Sequence, residues 1–218
     1  MTPIASASAL IGTSTIATMK VLLVSFAFPP EPGGGAERSL RLAQYLPALG
    51  IETHVIAPES TRPSLSGDGL RVATQAWVHR TGILGPSRLH PSWSITAIPA
   101  AIRVVRKHRL DAVVTLAPPS SIHLVGAAVQ RMTGAAWLAE LPESPLTQGT
   151  GEAESAAVRA QATVDRAVAR LVARHANAIS CGSDATVAEA RRLGPRGAVV
   201  AISGSDVEET ADLLRSLR

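Results

Sequence analysis

Aromatic residues make up only 3% of this 218-residue chain, so its core has to be built from aliphatic side chains, which suits an α/β protein. The single Cys181 excludes an intrachain disulfide and supplies no metal-ligand spacing. Its expected role is a small buried apolar residue at a strand end, in a reducing cytoplasm. No run approaches the roughly 18 apolar residues of a membrane span. Residues 1–18 are rich in Ala, Ser and Thr and contain no basic residue, which makes a poor export signal. Because Met19 directly precedes the first strong apolar run, residues 1–18 read as a disordered leader or a misassigned start. Long basic blocks of the kind found in nucleic-acid tails are also missing: the net charge of +4 is mild and most arginines are dispersed, so nucleic acid is not an expected partner.

What is present is a βα rhythm. "KVLLVSFAF" (Lys20 to Phe28) has the continuous apolar character of a strand covered on both faces. A helix follows from about Ala36 to Leu49, with Leu42, Leu46 and Leu49 on one face and Gly50 as its stop. Further strands are expected at Glu52 to Glu59, Leu70 to Arg80, Asp111 to Ala117 and Ala135 to Leu141, with two more within "NAISCGS" and "GAVVAIS". The intervening helices start near Ser94 (disturbed by Pro99), at Ile122, at Glu152, at Asp184 and at Asp206. This alternation predicts one doubly wound, mostly parallel, Rossmann-like sheet with right-handed crossovers. Ligands on such sheets bind beyond the carboxyl ends of the strands, where the strand order reverses. Four loops are thereby nominated: Pro29 to Ala36, Pro58 to Asp68, Pro118 to Ser121 and Pro142 to Gly151.

The first of these holds three consecutive glycines, which can adopt positive φ and let backbone N–H groups approach an anion at a helix N-terminus. A dinucleotide fingerprint fits Gly33 and Gly35 but meets Arg38 at its third glycine, and the Pro29 to Pro32 insertion lengthens the turn. Glu59 stands about where a ribose-binding acid belongs, so a nicotinamide enzyme stays as a rival reading. No Lys-Ser/Thr follows the glycines, which excludes a Walker loop.

The segment "MKVLLVSFAFPPEPGGGAERSLRLAQYLPALGIETHVIAPE" resembles the opening of the N-terminal domain of family-4 glycosyltransferases of GT-B fold. The likeness continues through "DAVVTLAPPSSIHLVGAAVQRMTGAAWLAELPESP" and "HANAISCGSDATVAEARRLG", and covers most of Met19 to Asp206. The resemblance implies a single domain, residues 19–218, equivalent to the acceptor-binding half of a two-domain enzyme. Its reaction would be transfer of a sugar from a nucleotide-sugar to an acceptor hydroxyl, retaining and metal-independent in most members. The nucleotide-sugar is then a substrate, and no cofactor or metal is implied. Gly33, Gly34 and Gly35 would approach the donor diphosphate, and Glu37 and Arg38 would position groups near the cleft.

Glu143, in "PESP", falls where the family's acceptor-side acid would be, although the Arg-Asp-Pro-Trp of many relatives is missing. A carboxylate there could orient or deprotonate a hydroxyl, or Glu140 and Glu143 could be solvated loop acids. His123 is a candidate contact to a sugar or phosphate, with a structural histidine as the alternative. The basic run Arg103 to Arg109 is either a solvated helix end or a peripheral contact to the anionic inner leaflet, where a lipid-linked or other glycan acceptor would lie. Gly204 and Asp206 match the turn that leads into a donor domain, and only a short helix follows. The chain is accordingly expected to be a weak or inactive enzyme alone, completed by a donor domain or a separate donor chain. The rival class is a non-catalytic binding or interaction domain.

Overall fold

Alternate residues of the first strand sort onto two layers: Leu22 and Val24 join one apolar cluster, Val21 and Leu23 the other. The computed structural model describes residues 18–60, 75–83, 90–142, 156–202 and 206–218. All but the last residue of the proposed leader at 1–18, the expected strand start at 70–74 and the expected helix start at 152–155 lie outside the described residues, as do Glu143 and Gly204.

Among the described residues seven strands form one sheet: β1 (Lys20–Ser25), β2 (Glu52–Pro58), β3 (Trp77–Thr81), β4 (Ala112–Leu116), β5 (Ala136–Leu141), β6 (Ala178–Cys181) and β7 (Ala198–Ala201). The order is β3-β2-β1-β4-β5-β6-β7, and every pair is parallel. The expected doubly wound Rossmann-like fold is therefore observed, with its topological switch between β1 and β4. Buried on both faces, β1 and β4 read as continuous apolar runs for that reason.

The helices among the described residues are α1 (Gly34–Ala48), α2 (His90–His108), α3 (His123–Thr133), α4 (Ala156–His175), α5 (Asp184–Arg192) and α6 (Val207–Ser216). On one face α1 and α6 cover the cluster of Val21, Leu23, Val114 and Leu138 through Leu42, Leu46, Ala211 and Leu214. On the other, α2 to α5 cover Leu22, Val24, Val113 and Trp137. Helix α3 approaches the sheet so closely that a Cβ on Gly126 would come within 2.2 Å of the Trp137 ring. A glycine is required there by packing.

Two boundaries differ from expectation. Helix α2 begins at His90 and runs through Pro99, because Trp93, Ala97, Ala101 and Val105, spaced by four residues, bury one stripe while Pro99 faces solvent. Helix α1 begins at Gly34, so two of the three glycines belong to its first turn. Cys181 is buried at the carboxyl end of β6, as expected for a free cysteine.

Candidate functional site

Beyond the carboxyl ends of β1 and β4, two proline-containing loops flank the switch point. The loop after β1 is pinned from below by Ser25 and Ser39, whose hydroxyls lie 2.6 Å apart. The same hydroxyls reach the Ala27 and Gly35 carbonyls at 2.7 and 2.8 Å. Gly33 then turns the chain into α1 at φ 110°, a backbone conformation that only glycine adopts readily. Its carbonyl accepts from the amides of Ala36 and Glu37 at 3.0 and 3.1 Å. No side chain caps the helix, and Gly33, Gly34 and Gly35 are all exposed. The amides of Gly34 and Gly35 belong to the first-turn donors that an α-helix cannot satisfy internally, and they carry the positive end of its dipole.

Arg80, at the end of β3, fastens this loop to its neighbours. Its guanidinium donates to the Pro58 carbonyl at 3.0 Å and to the Pro29 carbonyl, and sits 5.4 Å from the centre of the Phe28 ring. Burial lowers its pKa, an effect that Glu31 opposes. Ser60 adds a hydrogen bond to Glu31 at 2.8 Å, joining the loops after β1 and β2.

The second wall begins at Ala117 and passes through a 3-10 turn, Ser120–Ile122, into α3. Ser120 donates to Asp165 of α4, whereas the buried Ser121 hydroxyl has no hydrogen-bond partner among the described residues. At the same rim Arg38 Nε lies 2.6 Å from Glu140 Oε1, so α1 is tied to β5 across the end of β4. The N–H is not aligned on the oxygen, so the contact is an ion pair more than a directed hydrogen bond. Burial raises the Glu140 pKa, and the Arg38 charge pulls it back.

The candidate residues are therefore partly assembled. Gly33, Gly34, Gly35, Glu37 and Arg38 share one end of α1 beside the switch. Glu140 is not a solvated loop acid: it is the penultimate residue of β5, 3% exposed and paired with Arg38. His123 is fully buried. Its Nδ1 lies 2.8 Å from the Thr115 hydroxyl, which also accepts from Trp137 Nε1 at 2.9 Å. Desolvation lowers its pKa to about 4, so the imidazole is neutral and packed in the core. The Arg103 to Arg109 run closes α2 next to the amino ends of the strands, away from the crevice. Arg80, Ser25, Ser39 and Ser121 were not singled out in the sequence, because each gains its meaning from a partner on another element.

A groove of about 910 Å³ lies elsewhere, between α1 and α6, lined by Glu37, Arg41, Tyr45, Asp206 and Glu208 among others. It sits over two helices and not over strand ends, so the switch-point rule does not favour it. Among the described residues the crevice presents no nucleophile–base pair. What it offers is unsatisfied backbone donors at the start of α1 and a rim fixed by the Arg38–Glu140 pair.

The model of the glycosyl transferase 4-like domain matches residues 33–204. The chain belongs to that family. Solved structures share the fold of this glycosyl transferase 4-like domain. Anabaena HepE in complex with UDP and glucose matches at 16% identity and TM-score 0.53, over 85% of this chain and 44% of that one. Sucrose-phosphate synthase from Thermosynechococcus elongatus matches at 16% identity and TM-score 0.61, over 85% of this chain and 48% of that one. A shorter polypeptide of the same synthase is covered to 97% by 91% of this chain, at 13% identity and TM-score 0.61. The chain thus spans less than half the length of HepE and of the longer synthase, and its architecture is that of an N-terminal-type GT-B domain. A search of curated proteins gave no match. No helix among the described residues is long and apolar enough to cross a membrane.

Proposed function

We propose that this glycosyl transferase 4-like domain is the acceptor side of a GT-B enzyme, completed by a donor domain that holds most of a nucleotide-sugar. The reaction is transfer of the sugar to a hydroxyl of a glycan or lipid-linked acceptor. The observation that carries this reading is the uncapped, exposed first turn of α1 at the β1/β4 switch point. Its amides are placed to meet a diphosphate presented from across the crevice, and preorganised donors of this kind stabilise charge developing on a leaving group. That HepE was solved with UDP and glucose supports the choice of a nucleotide-sugar.

Arg38 then acts by position. Held by Glu140, it fixes the start of α1 relative to β5, so the amides and the β5 rim keep one geometry. Glu143, a few residues beyond Glu140, remains the proposed acceptor-side acid. We assign no membrane role to the basic run of α2, since it faces away from the crevice.

The test is amide-resolved NMR of the purified chain titrated with UDP-glucose, followed by transfer assays with a GT-B donor domain added. Weak, local shifts at Gly33 to Glu37 and Ser120 to Ser121 are expected, with turnover once the donor domain is present. Shifts confined to other surfaces would refute the crevice assignment. Local shifts without turnover for any donor half would make the chain a binding domain.

A further inference from the structure

At the opposite end of the sheet, along its β3 edge, three of the chain's six histidines converge. His54 lies near the start of β2, His79 in the middle of β3, and His108 is the last residue of α2. The parallel register aligns His54 with Trp77 and Ile56 with His79, so both imidazoles project from the face that α2 covers. His54 Nδ1 is 3.1 Å from His79 Nε2, and the His108 ring centre is 4.4 Å from that of His54. One nitrogen from each ring lies within 4.8 Å of the other two.

We propose that His54, His79 and His108 form a binding site for a divalent transition metal of the zinc class, with Glu52 as its outer carboxylate. Three features support it. First, two nitrogens on a tetrahedral zinc at 2.0–2.1 Å stand about 3.3 Å apart, and the His54–His79 separation is already close to that. Second, His54 Nε2 lies 3.1 Å from Glu52 Oε1, and Lys20 Nζ holds the same carboxylate at 2.9 Å. A carboxylate only accepts, so it selects the tautomer with the proton on Nε2 and turns the Nδ1 lone pair toward the cluster, the arrangement by which carboxylates orient metal-bound histidines. Third, His54 is buried, while His79 and His108 are half-exposed, which gives an anchored ligand and a path of entry.

Imidazole donors suit zinc, copper, nickel or cobalt, whereas magnesium and calcium require oxygen ligands. Three protein nitrogens leave a fourth position for water. The site lies away from the carboxyl-end crevice, so its effect is mechanical: the metal ties the end of α2 to the β2–β3 edge. It stands whether or not the sugar-transfer proposal does.

The test uses the full chain, stripped with a chelator and titrated with zinc chloride alone by calorimetry, and with cobalt(II) by visible absorption. A single equivalent should bind with micromolar or tighter affinity, and cobalt should develop the absorption of a four-coordinate site. Affinity should fall roughly 10–100-fold in Glu52→Gln, and further in His79→Ala and His108→Ala. It should be unchanged in His175→Ala. Zinc should also raise the melting temperature by several degrees in the wild type, with no rise in His79→Ala. No stoichiometric binding to the wild-type chain would overturn the site, as would wild-type affinity in the His79 and His108 variants or affinity lost in His175→Ala.

Discussion

At the carboxyl end of the sheet the polar groups that stand out are exposed backbone amides and one buried ion pair; at the amino end of the β2–β3 edge they are three imidazoles. The carboxyl end leaves the first turn of α1 without a side-chain cap and its glycines exposed, so the donors it presents are peptide groups that no side-chain substitution can remove directly. The amino end depends entirely on side chains, one buried and two half-exposed. The contrast lies in how the groups are assembled: strand ends where the winding reverses open a crevice, while the sheet edge beneath a helix terminus gathers side chains from three elements.

The largest expected effect concerns the ion pair that stiffens the carboxyl end. Arg38→Met should cost about 3–5 kcal/mol, because it leaves the buried Glu140 without its counter-charge. The sign with pH follows from the direction of the Glu140 shift. A carboxyl whose folded pKa is raised favours folding while protonated, and that contribution is lost as pH rises through the folded value. Both causes that lower the Glu140 pKa come from Arg38, so the loss in the variant should deepen as pH rises above the ordinary carboxylate range. Urea unfolding midpoints from pH 4 to 8 would check this, and a constant difference would show that Arg38 does not govern the protonation of Glu140.

His123 sharpens the contrast with the amino-end histidines, since its ring packs in the core against Thr115 and Trp137 and not against other imidazoles. Its folded pKa of about 4 lies below the ordinary 6.5, so the unfolded chain takes up the proton first as pH falls. Stability attributable to neutral His123 is complete above pH 6.5 and declines down to about pH 4, by on the order of 3 kcal/mol in total. His123→Leu should remove that part of the acid sensitivity, measured as a flatter stability profile across the same window.

Smaller effects should divide the glycines. Gly33→Ala should cost about 1–3 kcal/mol, since its φ of 110° lies in a region nearly restricted to glycine. Gly34→Val should change stability by less than about 1 kcal/mol, because nothing lies within 4 Å of the added Cβ. Sugar transfer by the donor-completed enzyme should nevertheless be lost, as the side chain blocks the approach of a phosphate. Calorimetric melting together with a transfer assay separates the two outcomes; full activity in Gly34→Val would remove the first turn of α1 from the mechanism.

Much of the fold was legible because strand and helix periods are local properties of the chain. Leu42 and Leu46, Trp93 to Val105, and the apolar runs of β1 and β4 announce their faces by spacing alone. Gly50 and Gly134 announce helix ends, and both have left-handed backbone in the structure. The glycine loop was legible as a feature of a strand-to-helix turn. It was not visible that the helix takes in Gly34 and Gly35 and leaves only Gly33 as its cap.

The alternation of elements, the loops that the switch-point rule nominates and the residues that carry the family likeness are all written along the chain. Tertiary structure alone decided the partners. Glu140 reads as a loop acid until parallel pairing brings Arg38 across the end of β4. Arg80 is an ordinary strand residue until the loops after β1 and β2 offer it carbonyls. His54, His79 and His108 share no motif, and meet only because register aligns two strands and α2 ends above them. Periodicity is written in neighbouring residues, whereas charge pairing and ligand convergence depend on segments that only the packed sheet brings within a few ångströms.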